Sequence, residues 1–226
     1  MKTIFLKKRV LQTLTLLILS ICSFFLFACK TKVNYFNYVS ELRNNVFWAK
    51  TEEYSLRIYS VKKEVPYKTD GIPKELSTRT EFYFLPSSGE KSCSLSFQID
   101  GKDYGGEMSY DNVKAEYYYS CSLDTSALQK ITCSITYDKE IVQLNALSVL
   151  TSSTVTPQSA LQNVIHEEKE LFNSMTDKYG FAGEIYIRLI YEDACYYYVG
   201  VIDREEKIHA FLLNAQTGKI LAKRLS

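Results

Sequence analysis

Cys93-Ser94-Leu95-Ser96-Phe97-Gln98-Ile99 is the stretch whose reading decides the fold. Cys93, Leu95, Phe97 and Ile99 alternate with Ser94, Ser96 and Gln98. A period of two marks a strand with one face in a core and the other in water. The same alternation recurs on both sides. Tyr54, Leu56 and Ile58 stand against Ser55 and Arg57. Ala115, Tyr117, Tyr119, Cys121 and Leu123 share one face of 115–123, and Ile131, Cys133, Ile135 and Tyr137 share one face of 131–137. Turn signals separate the runs: Asp70-Gly71, Pro86-Ser87-Ser88-Gly89, Asp100-Gly101 and Gly105-Gly106. Short strands at this spacing predict an immunoglobulin-like antiparallel β-sandwich over residues 51–150.

Towards the C-terminus the period changes. Residues 151–156 (Thr-Ser-Ser-Thr-Val-Thr) have linker composition, and Thr156-Pro157 has the form of an N-cap followed by proline at the first helical position. Leu161, Val164, Ile165, Leu171, Phe172 and Met175 then form an apolar stripe at helical spacing. Strands are expected over 184–192, 195–203, 207–214 and, after a turn at Gln216-Thr217-Gly218, over 219–225. One helix with an antiparallel sheet is an α+β unit, expected as a second domain over 151–226. The expected class is therefore α+β, mostly β.

Towards the N-terminus, Lys2–Arg9 is basic and Val10–Ala28 is apolar, the form of an export signal over residues 1–28. Leu26-Phe27-Ala28-Cys29 resembles the lipobox of bacterial lipoproteins. Leu26, Ala28 and Cys29 match its pattern, and Phe27 is bulkier than its usual residue. The resemblance implies cleavage before Cys29 and a lipid on its thiol, holding the protein to the outer face of the cell membrane. The alternative is an uncleaved anchor. Residues 29–50 are expected as anchor and tether, with Tyr35–Lys50 a short helix or a leading strand. The C-terminal 65 or so residues resemble a PepSY-type domain, through Tyr196–Asp203 and the run Phe211–Leu221, with Asn214 where that family commonly has Asp. This resemblance implies a binding or peptidase-modulating role and transfers no catalytic residue. The chain also resembles uncharacterised lipoproteins of low-GC Gram-positive bacteria, through the lipobox and residues 64–71 (Glu-Val-Pro-Tyr-Lys-Thr-Asp-Gly).

The 226 residues carry 27 Lys+Arg against 26 Asp+Glu, and Lys2, Lys7, Lys8 and Arg9 fall in the acid-free leader. A near-balanced chain lacks the basic stripe of a nucleic-acid binder. A hydrophobic content of 46% excludes a disordered chain. Cys22 lies in the leader, while Cys93, Cys121 and Cys133 fall on apolar strand faces and read as buried small hydrophobes. A Cys121–Cys133 bridge is open if their strands pair. His166 reads as a solvated helix position near Glu170. His209 reads as a strand residue on the face opposite Ile208 and Ala210. No Gly-x-Ser-x-Gly elbow, Cys-x-x-Cys pair, EF-hand loop or phosphate loop is present. Asp100-Gly101-Lys102-Asp103 reads as a hairpin turn rather than a calcium site. No cofactor and no metal is expected.

The most distinctive feature is Tyr117-Tyr118-Tyr119 and Tyr196-Tyr197-Tyr198. In a strand each run sends one ring to one face and two to the other. Tyr118, Tyr196 and Tyr198 are the candidates for an aromatic binding surface. The functional expectation is a non-enzymatic, extracytoplasmic, membrane-anchored binding or peptidase-modulating module for an envelope protein or glycan. The alternative is a cell-envelope hydrolase or a glycan-binding protein.

Overall fold

The computed structural model describes residues 33–68, 70–87 and 90–224. The expected signal and Cys29 lie outside them. The chain divides into Met1–Asn34 and Tyr35–Ser226, and the fold is that of the second unit. It is mostly β and largely antiparallel. After a 3-10 turn at Tyr35–Tyr38 come β1 (Val39–Lys50), β2 (Tyr54–Lys63), β3 (Ser77–Pro86), β4 (Cys93–Ile99), β5 (Lys102–Glu107), β6 (Ser109–Asp111), β7 (Glu116–Cys121), β8 (Lys130–Tyr137) and β9 (Glu140–Ser148). Then follow α1 (Pro157–Glu167), α2 (Lys169–Ser174), β10 (Thr176–Asp177), β11 (Gly180–Phe181), β12 (Gly183–Tyr191), β13 (Cys195–Asp203), β14 (Ile208–Asn214) and β15 (Ile220–Arg224).

β1 organises everything else. One edge pairs antiparallel with β2 along nearly its whole length. The other edge is shared: residues 39–43 pair parallel with β12, and Phe47 and Trp48 pair with β9. The main path runs β15-β14-β13-β12-β1-β2-β3-β7-β6, and β9 leads off it to β8, β4 and β5. The stretch left open between a short helix and a leading strand is thus a central strand from Val39 onward. Its alternation is interrupted, which hides it from a period-two reading. Arg43 faces Val61 but Asn45 faces Ser60, so a β-bulge at Asn44 exchanges the two faces of the strand. Asn45, fully buried, fastens the bulge. Its amide donates to the carbonyls of Ser126 and Leu128, and its oxygen accepts from Ser148 Oγ.

The sheet also crosses the boundary expected at 150/151, because β12 lies against β1. Among the linker-like residues, Val155 is tied to the C-terminal strands. Val155 N–H donates to the Ala215 carbonyl, and the Val155 carbonyl accepts from Tyr197 Oη at 2.8 Å.

Two apolar regions lie on the same side of the main sheet. Phe47, Leu56, Ile58, Phe82, Phe84 and Tyr117 from β1, β2, β3 and β7 share a core with Leu95, Phe97, Ile131, Cys133, Ile135, Leu144 and Ala146 from β4, β8 and β9. Further along, α1 lays Ala160, Leu161 and Val164 on β12 and β13. Thr156 caps α1 through Oγ1, which accepts Ser159 N–H at 3.1 Å, with Pro157 starting the helix as expected. The expected long helix is broken at Glu168, whose ψ of 42° ends α1 and starts α2. Cys93–Ile99 and Cys195–Asp203 are strands with the predicted limits, and Asp100-Gly101 is the turn of the β4–β5 hairpin.

Candidate functional site

Residues paired across neighbouring strands point to the same face of a sheet. Because Leu56, Ile58 and Ser60 face the core, Arg57, Tyr59, Val61 and Lys63 face the other way. The register carries that second face across the sheet. Glu81 and Tyr83 join it from β3, Tyr118 and Ser120 from β7, Glu41 and Arg43 from β1, Tyr186 and Arg188 from β12, and Tyr198 from β13.

Tyrosine rings touch in succession along this face. Tyr59 and Tyr83 have centroids 5.2 Å apart, as do Tyr83 and Tyr118, with tilts of 47° and 50°. The Arg43 guanidinium lies 3.9 Å over the Tyr59 ring. Beyond β1 a second group continues the band. Arg188 lies 4.4 Å over Tyr186, which stacks on Tyr198 at 5.7 Å and 24°. Tyr59, Tyr83, Tyr118 and Tyr198 are half-buried, whereas Tyr186 is buried.

Buried carboxylates hold the band in place. Glu81, 3% exposed, accepts from Tyr83 Oη at 3.1 Å and Tyr118 Oη at 3.3 Å and pairs with Lys63 at 2.5 Å. Glu41 accepts from both Nε and Nη2 of Arg188, at 2.9 and 2.5 Å. Glu116 pairs with Arg57 at 2.5 Å. Each carboxylate is charge-compensated, and the Tyr83 and Tyr118 rings are fixed by their hydroxyls, an arrangement that rigidifies a polar network. Burial, and then the Glu81 carboxylate, push the Tyr83 hydroxyl above the ordinary tyrosine range, so it stays a neutral donor.

At the end of the sheet where β1 begins, a strap of residues 64–76 joins β2 to β3. The two strands are antiparallel neighbours that a tight turn could have linked. The strap instead reaches the end of β13, where Gly71, at φ +73°, sits so close to Asp203 that a Cβ there would lie 2.7 Å from its carbonyl oxygen. Glu184, fully buried, grips the strap. Oε2 accepts Gly71 N–H and Oε1 accepts Ser40 Oγ, both at 3.1 Å. Glu64, 1% exposed, accepts Lys74 N–H at 2.5 Å through Oε1, while its Oε2 has no partner among the described residues. Burial raises the Glu184 carboxyl above its ordinary value, with Glu64 and Asp70 adding to the effect. Tyr67 on the strap is raised to about 12, chiefly by burial. Glu184 has the raised carboxyl of a general acid, but both acids are covered and engaged with strap backbone.

Of the residues singled out from the sequence, Tyr118 is half-buried against Tyr83 rather than freely exposed. Tyr198 joins the band, and Tyr196 shares its face. Tyr117 and Tyr197 turn inward, each 1% exposed. Cys121 and Cys133 are both free thiols. The condition for their bridge is unmet, because β7 pairs with β3 and β6 whereas β8 pairs with β4 and β9. Burial raises the Cys93 and Cys133 thiols to about 12, which leaves them unreactive. His166 is exposed beside Glu167 rather than paired with Glu170, and His209 is buried. Sequence reasoning missed Tyr59, Tyr83, Arg43, Glu81 and Arg188. A signal existed for the first two, since Tyr59 and Tyr83 alternate against core residues, but only strand order makes them neighbours of Tyr118.

A groove of about 540 Å³ between α1 and the segment leading into β15 is lined by His166, Glu168, Gly218, Leu221 and Lys223, and the Lys223–Glu168 ion pair at 2.9 Å joins its walls. Among the described residues, no group of three or more His, Cys, Asp or Glu side chains is placed to hold a metal, and no helix is long and apolar enough to cross a membrane. Comparison of the chain with protein families, with curated proteins and with solved structures finds no match.

Proposed function

We propose that this protein is a membrane-anchored lipoprotein, attached through Cys29, that displays the tyrosine face of its sheet as a non-enzymatic binding platform for an envelope partner. The observation that carries this reading is the Tyr59–Tyr83–Tyr118 ladder. Three rings span three strands in contact, half-exposed, with the hydroxyls of Tyr83 and Tyr118 tied to Glu81 and Arg43 seated on the end ring. Rings held this way lose little freedom on binding, and tyrosine offers apolar area with a polar edge. Such a platform suits an extended chain laid across the strands, either a peptide segment or a glycan. The common core of β1–β3 and β7 with β4, β8 and β9 favours an immunoglobulin-like sandwich, and the helix laid on β12 and β13 favours a PepSY-like unit joined to it, with the modulation of an envelope peptidase as the functional form of the idea.

Two experiments test the proposal. Labelled fatty acid should be incorporated by the wild type and not by Cys29→Ala; label on both removes the lipid attachment. Cross-linking on intact source cells should capture a defined envelope protein, and Tyr118→Ala and Tyr59→Ala should each reduce the yield while both variants remain folded at the assay temperature. Equal yields from wild type and both variants would remove the platform. Binding to purified wall glycan, lost in the same variants, would select the glycan form.

A further inference from the structure

We propose that the end of the sheet where β1 begins rests on the lipid bilayer, through Val65 and Ile72 of the strap and Tyr179 beyond α2. This rests on membrane attachment upstream of Tyr35, in either the lipidated or the uncleaved form. Tyr35 stands six positions after Cys29, and six residues of chain reach at most ~22 Å. The point where the chain enters the fold is therefore held within that distance of the attachment.

Strand directions show what surrounds that point. β1 and β12 run parallel, so the starts of β1 and β12 lie at one end, with the ends of β2 and β13. The strap leaves β2 there and docks Gly71 against Asp203 at the end of β13. On the helix-bearing side of the sheet, Tyr35 and Tyr38 pack edge-on against Phe181, and Phe181 N–H donates to Tyr38 Oη at 3.2 Å. This fixes the β10–β11 turn, and Tyr179 with it, beside the chain's point of entry into the fold. Tyr179 is 83% exposed, Ile72 56% and Val65 52%. Three large apolar side chains thus project around the end nearest the attachment.

The chemistry fits an interfacial contact. Aliphatic groups enter the headgroup boundary and tyrosine settles at its level. Lys178 lies 4.8 Å over the Tyr179 ring, and its stem can run along the boundary with the ammonium in water. Charge does not drive the contact. Lys74 pairs with Asp70 at 2.9 Å and Lys207 with Glu205 at 2.7 Å, so basic and acidic groups offset each other at this end. Seated this way, the strands rise from the membrane and the tyrosine face stands upright beside it, accessible to a partner in the envelope.

The experiment is acyl-chain quenching. Full-length protein is placed in nanodiscs made with lipid brominated on its acyl chains, and tryptophan emission is compared with that in unbrominated discs. Ile72→Trp and Tyr179→Trp replace exposed side chains at the proposed contact. Val113→Trp does the same at the opposite end, in the β6–β7 turn, where Val113 is 95% exposed. Trp48, the one native tryptophan, lies near the far end of β1 and supplies the background. The added emission of I72W and Y179W should be largely lost and blue-shifted, with V113W and wild type unchanged. Retained emission from I72W and Y179W, or equal quenching of V113W, overturns the proposal. A full-length protein that fails to co-elute with discs refutes the attachment instead. The surface is then tested alone with residues 30–226, which contain the whole Tyr35–Ser226 unit, held on nickel-chelating lipid by an N-terminal histidine tag, with the same outcomes.

Discussion

Gly200 is a position where one added methyl group should be costly. It lies opposite Tyr186 in the β12–β13 ladder, and the ring of Tyr186 lies across it. A Cβ on Gly200 would fall inside the contact envelope of Tyr186 Cζ, Cε1 and Oη. Carbon–carbon contacts settle at about 3.5–4.0 Å, so the ring must withdraw by more than ~1 Å. It cannot withdraw freely, because it is 4% exposed, stacked on Tyr198 and covered by Arg188, which is itself held by Glu41. Overpacking costs about 1–3 kcal/mol, and loss of the stack adds about 0.5–1.5 kcal/mol. Gly200→Ala should therefore destabilise by roughly 2–4 kcal/mol. For a chain of this size that lowers Tm by about 4–16 °C. The assay is urea unfolding of wild type, Gly200→Ala, Tyr186→Ala and the double variant. The double variant should cost clearly less than the two single changes added together, because removing the ring makes room for the methyl group. A loss below about 0.5 kcal/mol for Gly200→Ala, or strict additivity in the cycle, would refute the reasoning.

Three further outcomes are expected. Burial raises Glu184 above its ordinary 4.5, so its contribution to stability is present below the unfolded value and lost as pH rises through the folded one. The stability of Glu184→Gln relative to wild type should therefore increase as pH rises above 4.5, and a pH-independent difference in urea midpoint would contradict this. Thr156→Ala removes the cap of α1 and should cost about 1 kcal/mol, while Thr156→Ser should cost much less; equal losses would show that the hydroxyl cap is not what matters. Finally, Cys93, Cys121, Cys133 and Cys195 are free, so thiol titration of denatured, unreduced protein should count all four in residues 30–226, and reductant should leave Tm unchanged.

Local pattern sufficed wherever a strand keeps strict alternation and ends at a turn residue. Cys93–Ile99 needs only its own residues to be recognised, because its serines and glutamine face water and its apolar residues face the core. The start of α1 is equally local, since Thr156 and Pro157 act within one turn of backbone. The two tyrosine runs also announced a split between faces from their own spacing.

The rest depended on partners far along the chain. β1 stayed undecided between helix and strand because the bulge at Asn44 exchanges its faces, so no single period describes it. Its central place arises because it pairs with strands from both halves of the chain, so that the sheet runs across the boundary expected near residue 150. Glu81 and Glu116 look like surface charges in sequence, yet Lys63, Tyr83, Tyr118 and Arg57 make their burial tolerable. The ladder itself is a property of strand order. Residues 59, 83 and 118 touch because β2, β3 and β7 lie side by side. Alternation along a strand is set by the geometry of one backbone, so the amino-acid sequence alone determined which faces are apolar. Which of those faces meet is set by contacts between distant segments, and only the tertiary structure decided that.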